Sequence, residues 1–141
     1  MSGSSIESQF SATPLFLARL LAYNQGMAVL AMVDDLFFRA KIEAAAKQAG
    51  VSVTIRATVE AAIAPPAEGS WQLVIVDLHL STSDPIETIS ALRRMAPTTP
   101  MLGYGSHVEA ELHARARAAG CTDVLPRSVF VQRLPALLSG K

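Results

Sequence analysis

The run Leu73-Val74-Ile75-Val76-Asp77 constrains this chain more than any other stretch. An unbroken apolar run of that length, rich in β-branched residues, reads as a central strand of a parallel sheet covered on both faces. A carboxylate at its C-terminal end then falls where open α/β sheets place their chemistry. A second apolar run, residues 28–33, leads directly into Asp34-Asp35. If the two runs are neighbouring strands, three carboxylates converge at one edge of the sheet. Such a cluster repels itself unless a cation, a proton or a fixed basic group compensates it. The identity of that compensating group decides the function.

The rest of the chain alternates in the same style. Strands are expected at residues 28–33, 51–56, 72–77, 101–104 and 121–125. Between them, residues 36–48 carry Phe38, Ile42 and Ala45 at helical spacing and stop at Gly50. Residues 58–64 form a short helix ended by Pro65-Pro66. Asp84-Pro85-Ile86-Glu87 is a capping box with proline at the first helical position, opening a helix to about residue 96. Ser106-His107-Val108-Glu109 reads as a second capping box, for a helix running to Ala119. Pro135 interrupts the last helical pattern. That interruption leaves Val129, Phe130, Val131 and Leu134 either to complete the core or to face a partner. Five strands alternating with helices argue for a doubly wound α/β fold with a five-stranded parallel sheet.

At 141 residues, half of them hydrophobic, the chain can bury one core but hardly two. Twelve basic and twelve acidic residues cancel, with no block of like charge, so neither nucleic acid nor an anionic membrane is an expected partner. Residues 1–26 read as a flexible, Ser-rich leader with a short apolar helix at 15–23, too short to span a bilayer, and the domain proper runs from 27 to 141. The lone Cys121 cannot form an intrachain disulfide and is expected buried, which suits a cytoplasmic protein.

Several short matches in order give this alternation a family likeness. The residues from Val29 through the acidic pair to Arg39, the strand Val74 to Asp77, and the stretch Ala118-Ala119-Gly120-Cys121-Thr122-Asp123-Val124-Leu125 together resemble the receiver domain of bacterial response regulators, of the chemotaxis-receiver type. The resemblance implies the flavodoxin-like strand order 2-1-3-4-5. It puts the phosphoacceptor aspartate at Asp77 and a Mg²⁺-holding acidic pair at Asp34 and Asp35. It also implies a Ser or Thr at the end of the fourth strand and a Lys-Pro pair at the end of the fifth.

The chain departs from that pattern where it matters. The hydroxyl position, fifteen residues before Gly120, is Gly105, and Ser106 one place later has the spacing of a helix cap. Arg127 stands for the lysine and Ser128 for the proline after it. Counting sixteen residues back from Gly50 places Asp34 on the second acidic position and Val33 on the first, which leaves Asp35 as an N-cap. A one-residue deletion after the pair would instead restore both acidic positions. Beyond Asp77, Ser81 occupies a place where the family usually has proline, and Pro85 one where it has glycine.

Two readings follow. In the first, Arg127 compensates the carboxylates, no cofactor is needed, and the protein is a single-domain pseudo-receiver. It acts by protein-protein interaction, without catalysis or aspartyl phosphorylation. In the alternative, Asp77 accepts phosphate from a histidine kinase, with Mg²⁺ held by Asp34 and Asp77. The expected partner is a protein, a second copy of the chain included. The resemblance directs it to the face of the fourth helix, fifth strand and fifth helix, where Tyr104, Phe130 and Val131 are the candidate anchors. A weaker rival is an anion site on the turn Gly103-Tyr104-Gly105-Ser106-His107. His79 reads as an exposed loop residue.

Overall fold

In the computed structural model, which describes residues 28–63 and 71–139, the five expected strands form one parallel sheet in the order β2-β1-β3-β4-β5. The leader expected at residues 1–26 lies outside the described residues. The elements are β1 (Ala28–Met32), α1 (Leu36–Ala49), β2 (Ser52–Arg56), α2 (Val59–Ile63), β3 (Leu73–Asp77), α3 (Pro85–Met95), β4 (Met101–Gly105), α4 (Ala110–Ala119), β5 (Asp123–Pro126) and α5 (Arg127–Ser139).

Successive side chains on a strand point to opposite faces, and two separate cores result. On one face Val29, Ala31, Val33, Leu73, Ile75, Leu102, Tyr104 and Leu125 pack against Ile42 and Ala46 of α1 and Phe130, Leu134 and Leu138 of α5. On the other, Leu30, Met32, Val74, Val76, Leu78, Met101 and Val124 pack against Ala62, Ile89, Leu92 and Ala116 of the remaining helices. β3 is buried at every position, as its unbroken apolar run requires. Asp77, two residues beyond Ile75, therefore points to the α1–α5 face.

Helix ends follow their local chemistry in three places. Asp35 caps α1, its Oδ1 accepting from the Phe38 amide at 3.0 Å. Gly50 closes the same helix at φ 71°, a left-handed conformation that suits glycine. Asp84 caps α3, accepting from the Ile86 and Glu87 amides, with Pro85 at the first helical position.

Two expected ends are corrected. The box Ser106 to Glu109 does not cap a helix: α4 begins at Ala110, and the Ser106 hydroxyl accepts only a long contact from the Val108 amide, 3.4 Å. Pro135 does not break the last helix, which runs through it to Ser139. An interior proline costs about 3 kcal/mol. Phe130, Leu134 and Leu138, one turn apart and buried on the sheet, contribute about 1.5–3 kcal/mol each and outweigh it.

Candidate functional site: an acidic pit at the carboxyl edge of the sheet

Pairing β1 with β3 brings the loop after β1 beside the end of β3. Asp34, Asp35, Phe38, Asp77, His79, Ser81 and Arg127 line a single pit there. The three expected carboxylates do converge, but each is used differently.

Asp34 is engaged by the loop between β3 and α3. Its Oδ2 accepts from the Ser81 amide at 2.9 Å, the Ser81 hydroxyl at 2.7 Å and the Thr82 amide at 3.1 Å. Partial burial pushes the Asp34 carboxyl up, but the Ser81 and Thr82 donors together outweigh it and hold the group below its ordinary value. Asp35 spends Oδ1 on the helix cap.

Asp77 is 4% exposed. Its Oδ1 accepts from the His79 amide at 2.8 Å, the one hydrogen bond to its side chain among the described residues. Burial pushes its carboxyl above the ordinary value. The His79 amide, the nearby Tyr104 hydroxyl and the charge of Arg127 oppose that shift without overcoming it.

Beneath Asp77 lies an aromatic floor. Tyr104 pairs with Asp77 in the β3–β4 register and stacks on Phe130 with ring centroids 4.2 Å apart and planes 10° from parallel. Phe38 leans on Tyr104 at 5.1 Å. Tyr104 and Phe130 are both 0% exposed, so the expectation that they anchor a partner is corrected: their rings complete the core. Val131 is only partly buried against that core. The Tyr104 hydroxyl lies near the Asp77 carboxylate but falls outside hydrogen-bonding geometry, leaving it without a partner among the described residues. Burial, and then the Asp77 charge, push its proton affinity up.

The positions where the resemblance expects a hydroxyl and a lysine are equally specific. A Cβ on Gly105 would meet Leu78 at 3.3 and 3.4 Å and the His113 Nε2 at 3.6 Å, so the space of a side chain there is largely filled. Gly103 and Gly105 lie within β4, and the glycine stretch is strand rather than an anion-cradling turn. Arg127, the first residue of α5, lines the pit and acts on Asp77 through its charge. It forms no ion pair among the described residues, so of the expected compensation of the carboxylates only its charge on Asp77 is seen and no direct pair. His79 is exposed, as expected, yet its Nε2 lies 2.6 Å from Glu109 Oε1, a close contact that falls outside hydrogen-bonding geometry.

A hard divalent ion such as Mg²⁺ demands about six oxygen donors in near-octahedral geometry. In this pit one Asp34 oxygen already takes three hydrogen bonds, Asp35 caps a helix, and a guanidinium shares the space. Among the described residues no group of three His, Cys, Asp or Glu side chains is placed to hold a metal. The donor set does not fit that ion well.

The sequence reading missed the Asp34 latch and the His79–Glu109 contact. One signal for the latch was present: Ser81 stands where the resembled family usually has proline. Proline carries no amide hydrogen, whereas Ser81 offers an N–H and an O–H, and both go to Asp34.

Comparison with known proteins gives a consistent relationship. The profile of the response regulator receiver domain matches residues 29–139. A comparison with curated proteins returns no match. Among solved structures, NtrX from Brucella abortus superposes with a TM-score of 0.70 at 18% identity, over 79% of this chain. That overlap spans only a quarter of NtrX (25%). A putative response regulator from Chloroflexus aurantiacus gives a TM-score of 0.70 at 20% identity, covering 82% of this chain and 96% of that one. The chemotaxis response regulator CheY4 of Vibrio cholerae gives 0.69 at 22%, covering 82% and 98%.

Proposed function

Because this chain belongs to the response regulator receiver domain family, which matches it over residues 29–139, we propose that it is a signalling domain whose acidic pit accepts no phosphoryl group. It acts instead by binding a protein partner. The observation that carries this reading is the latch on Asp34, whose Oδ2 is already satisfied by Ser81 and Thr82. Phosphoryl transfer rests on a divalent ion and on donors aimed at the transferring oxygens. Here one oxygen of Asp34, a carboxylate expected to hold the ion, is occupied, the hydroxyl position is Gly105, and the lysine position is Arg127, whose planar fork presents its donors differently from an ammonium.

In this reading residues 27–141 form the folding unit and residues 1–26 are dispensable to it. Its location is the cytoplasm, in keeping with the buried, unpaired Cys121, whose thiol burial pushes up to about 11. Among the described residues no helix is long and apolar enough to cross a membrane. With Tyr104 and Phe130 inside, the partner-facing surface is marked by the exposed apolar side chains Val108, before α4, and Leu36 and Phe37, opening α1.

The test is incubation with Mg²⁺ and a small acyl phosphate, read by intact mass. The mass is expected to stay unchanged. A stable phosphoryl increment that disappears in Asp77→Asn would overturn the proposal and establish a working phosphoacceptor.

A further inference from the structure

We infer that His79 is a positioning residue that ties the state of Asp77 to the first turn of α4, in place of the side-chain hydroxyl that Gly105 lacks. The inference rests on the chain being a receiver whose output leaves through protein contacts, but not on whether Asp77 carries phosphate.

Two contacts made by one residue carry it. The His79 amide donates to Asp77 Oδ1 at 2.8 Å, and the His79 imidazole Nε2 meets Glu109 Oε1 at 2.6 Å. Glu109 opens α4, its carbonyl accepting from the His113 amide at 3.1 Å. A shift at Asp77 that pulls on the His79 amide therefore moves an imidazole already resting on α4.

The surroundings confine that motion to His79. One residue before it, Leu78 is buried and fixed by its amide on the Tyr104 carbonyl at 2.9 Å. Two residues after it, Ser81 is fastened to Asp34 by amide and hydroxyl. His79 sits between these two anchored points as a short lever. Gly105 itself carries no side chain to make such a link, and Leu78 and His113 take up much of the space beside it.

The strength of the link suits a switch. His79 and Glu109 side chains are 38% and 39% exposed. A solvent-exposed contact of this kind contributes little to folding, so it can break without endangering the fold. A contact with two discrete arrangements, biased by events at Asp77, is the physical requirement for coupling two sites.

The test uses the full chain, isotopically labelled, with backbone amide shifts recorded at one pH. Asp77→Ala removes the acceptor of the His79 amide, and it is expected to shift the amides of Glu109 to Leu112. In a His79→Ala background the same change should leave those amides at the background seen for Lys47 and Gln48, at the far end of α1, while Ser81 still responds. His79→Gln, which keeps a polar side chain within reach of Glu109, should restore part of the response. Glu109→Ala cuts the link from the other side and should reproduce the loss even if His79→Ala fails to fold. α4 amides that ignore Asp77→Ala in the parent, or that respond at full size in the folded link-breaking variants, overturn the inference. Phosphorylation is read separately by mass, so the failure of one proposal is distinguishable from the failure of the other.

Discussion

The end of β1 and the end of β3 each present a carboxylate to the same pit, yet the two hold their protons in opposite ways. Asp34 is partly exposed, takes three hydrogen bonds on one oxygen and sits below its ordinary value. Asp77 is 4% exposed, accepts one hydrogen bond, stands over an aromatic floor and sits above it. Adjacent positions on one sheet edge thus do not share an electrostatic character. Desolvation acts on both, and the number of fixed donors decides which way each goes. The β1 end has been satisfied by its own chain, whereas the β3 end is left as a buried, under-coordinated acid.

The floor offers the largest test of that contrast. Phe130→Ala removes half of the stack beneath Asp77 and is expected to cost about 3–5 kcal/mol by chemical denaturation. A loss below about 1 kcal/mol would mean that the ring pair does not form the dry base that sets Asp77 apart.

The two aspartates themselves should respond with opposite signs. A raised carboxyl binds its proton more tightly in the folded state than in the unfolded one, so ionised Asp77 weighs against folding. That weight is absent below the ordinary carboxylate value and fully felt above the raised one. Asp77→Asn should therefore stabilise near neutral pH by about 1 kcal/mol, several degrees in Tm, with the gain fading on acidification. Asp34 is the reverse case: ionised, it supports folding above its ordinary value, and the support is lost as pH falls through the lowered one. Asp34→Asn should destabilise near neutral pH, by less than about 1 kcal/mol because solvent screens the site. Thermal melts across pH that moved both variants in the same direction would break the comparison.

Smaller effects sharpen it. Arg127 reaches Asp77 through charge but pairs with no acid among the described residues, so Arg127→Ala should cost no more than about 1 kcal/mol. A loss near 3 kcal/mol would reveal a buried pair. Deleting residues 1–26 should change least: all five strands start after them, and denaturation of the shortened chain should keep its cooperativity. Loss of folding would place the apolar leader residues in the core.

What the sequence determined by itself was short-range. The apolar runs marked the strands, Gly50 and Asp84-Pro85 marked helix ends, and the spacing from Gly50 offered Asp35 as a cap beside the alternative of an intact acidic pair, because caps and period-two patterns act within a few residues of themselves. Only the tertiary structure decided that Ser81 and Thr82, 47 and 48 residues from Asp34, would close on its carboxylate. It also decided that Glu109 would leave its capping box for His79, and that Tyr104 and Phe130 would stack inside rather than face a partner. These outcomes depend on which loops the strand order places side by side and on how much water the packed faces exclude. Neither quantity exists until the sheet is assembled.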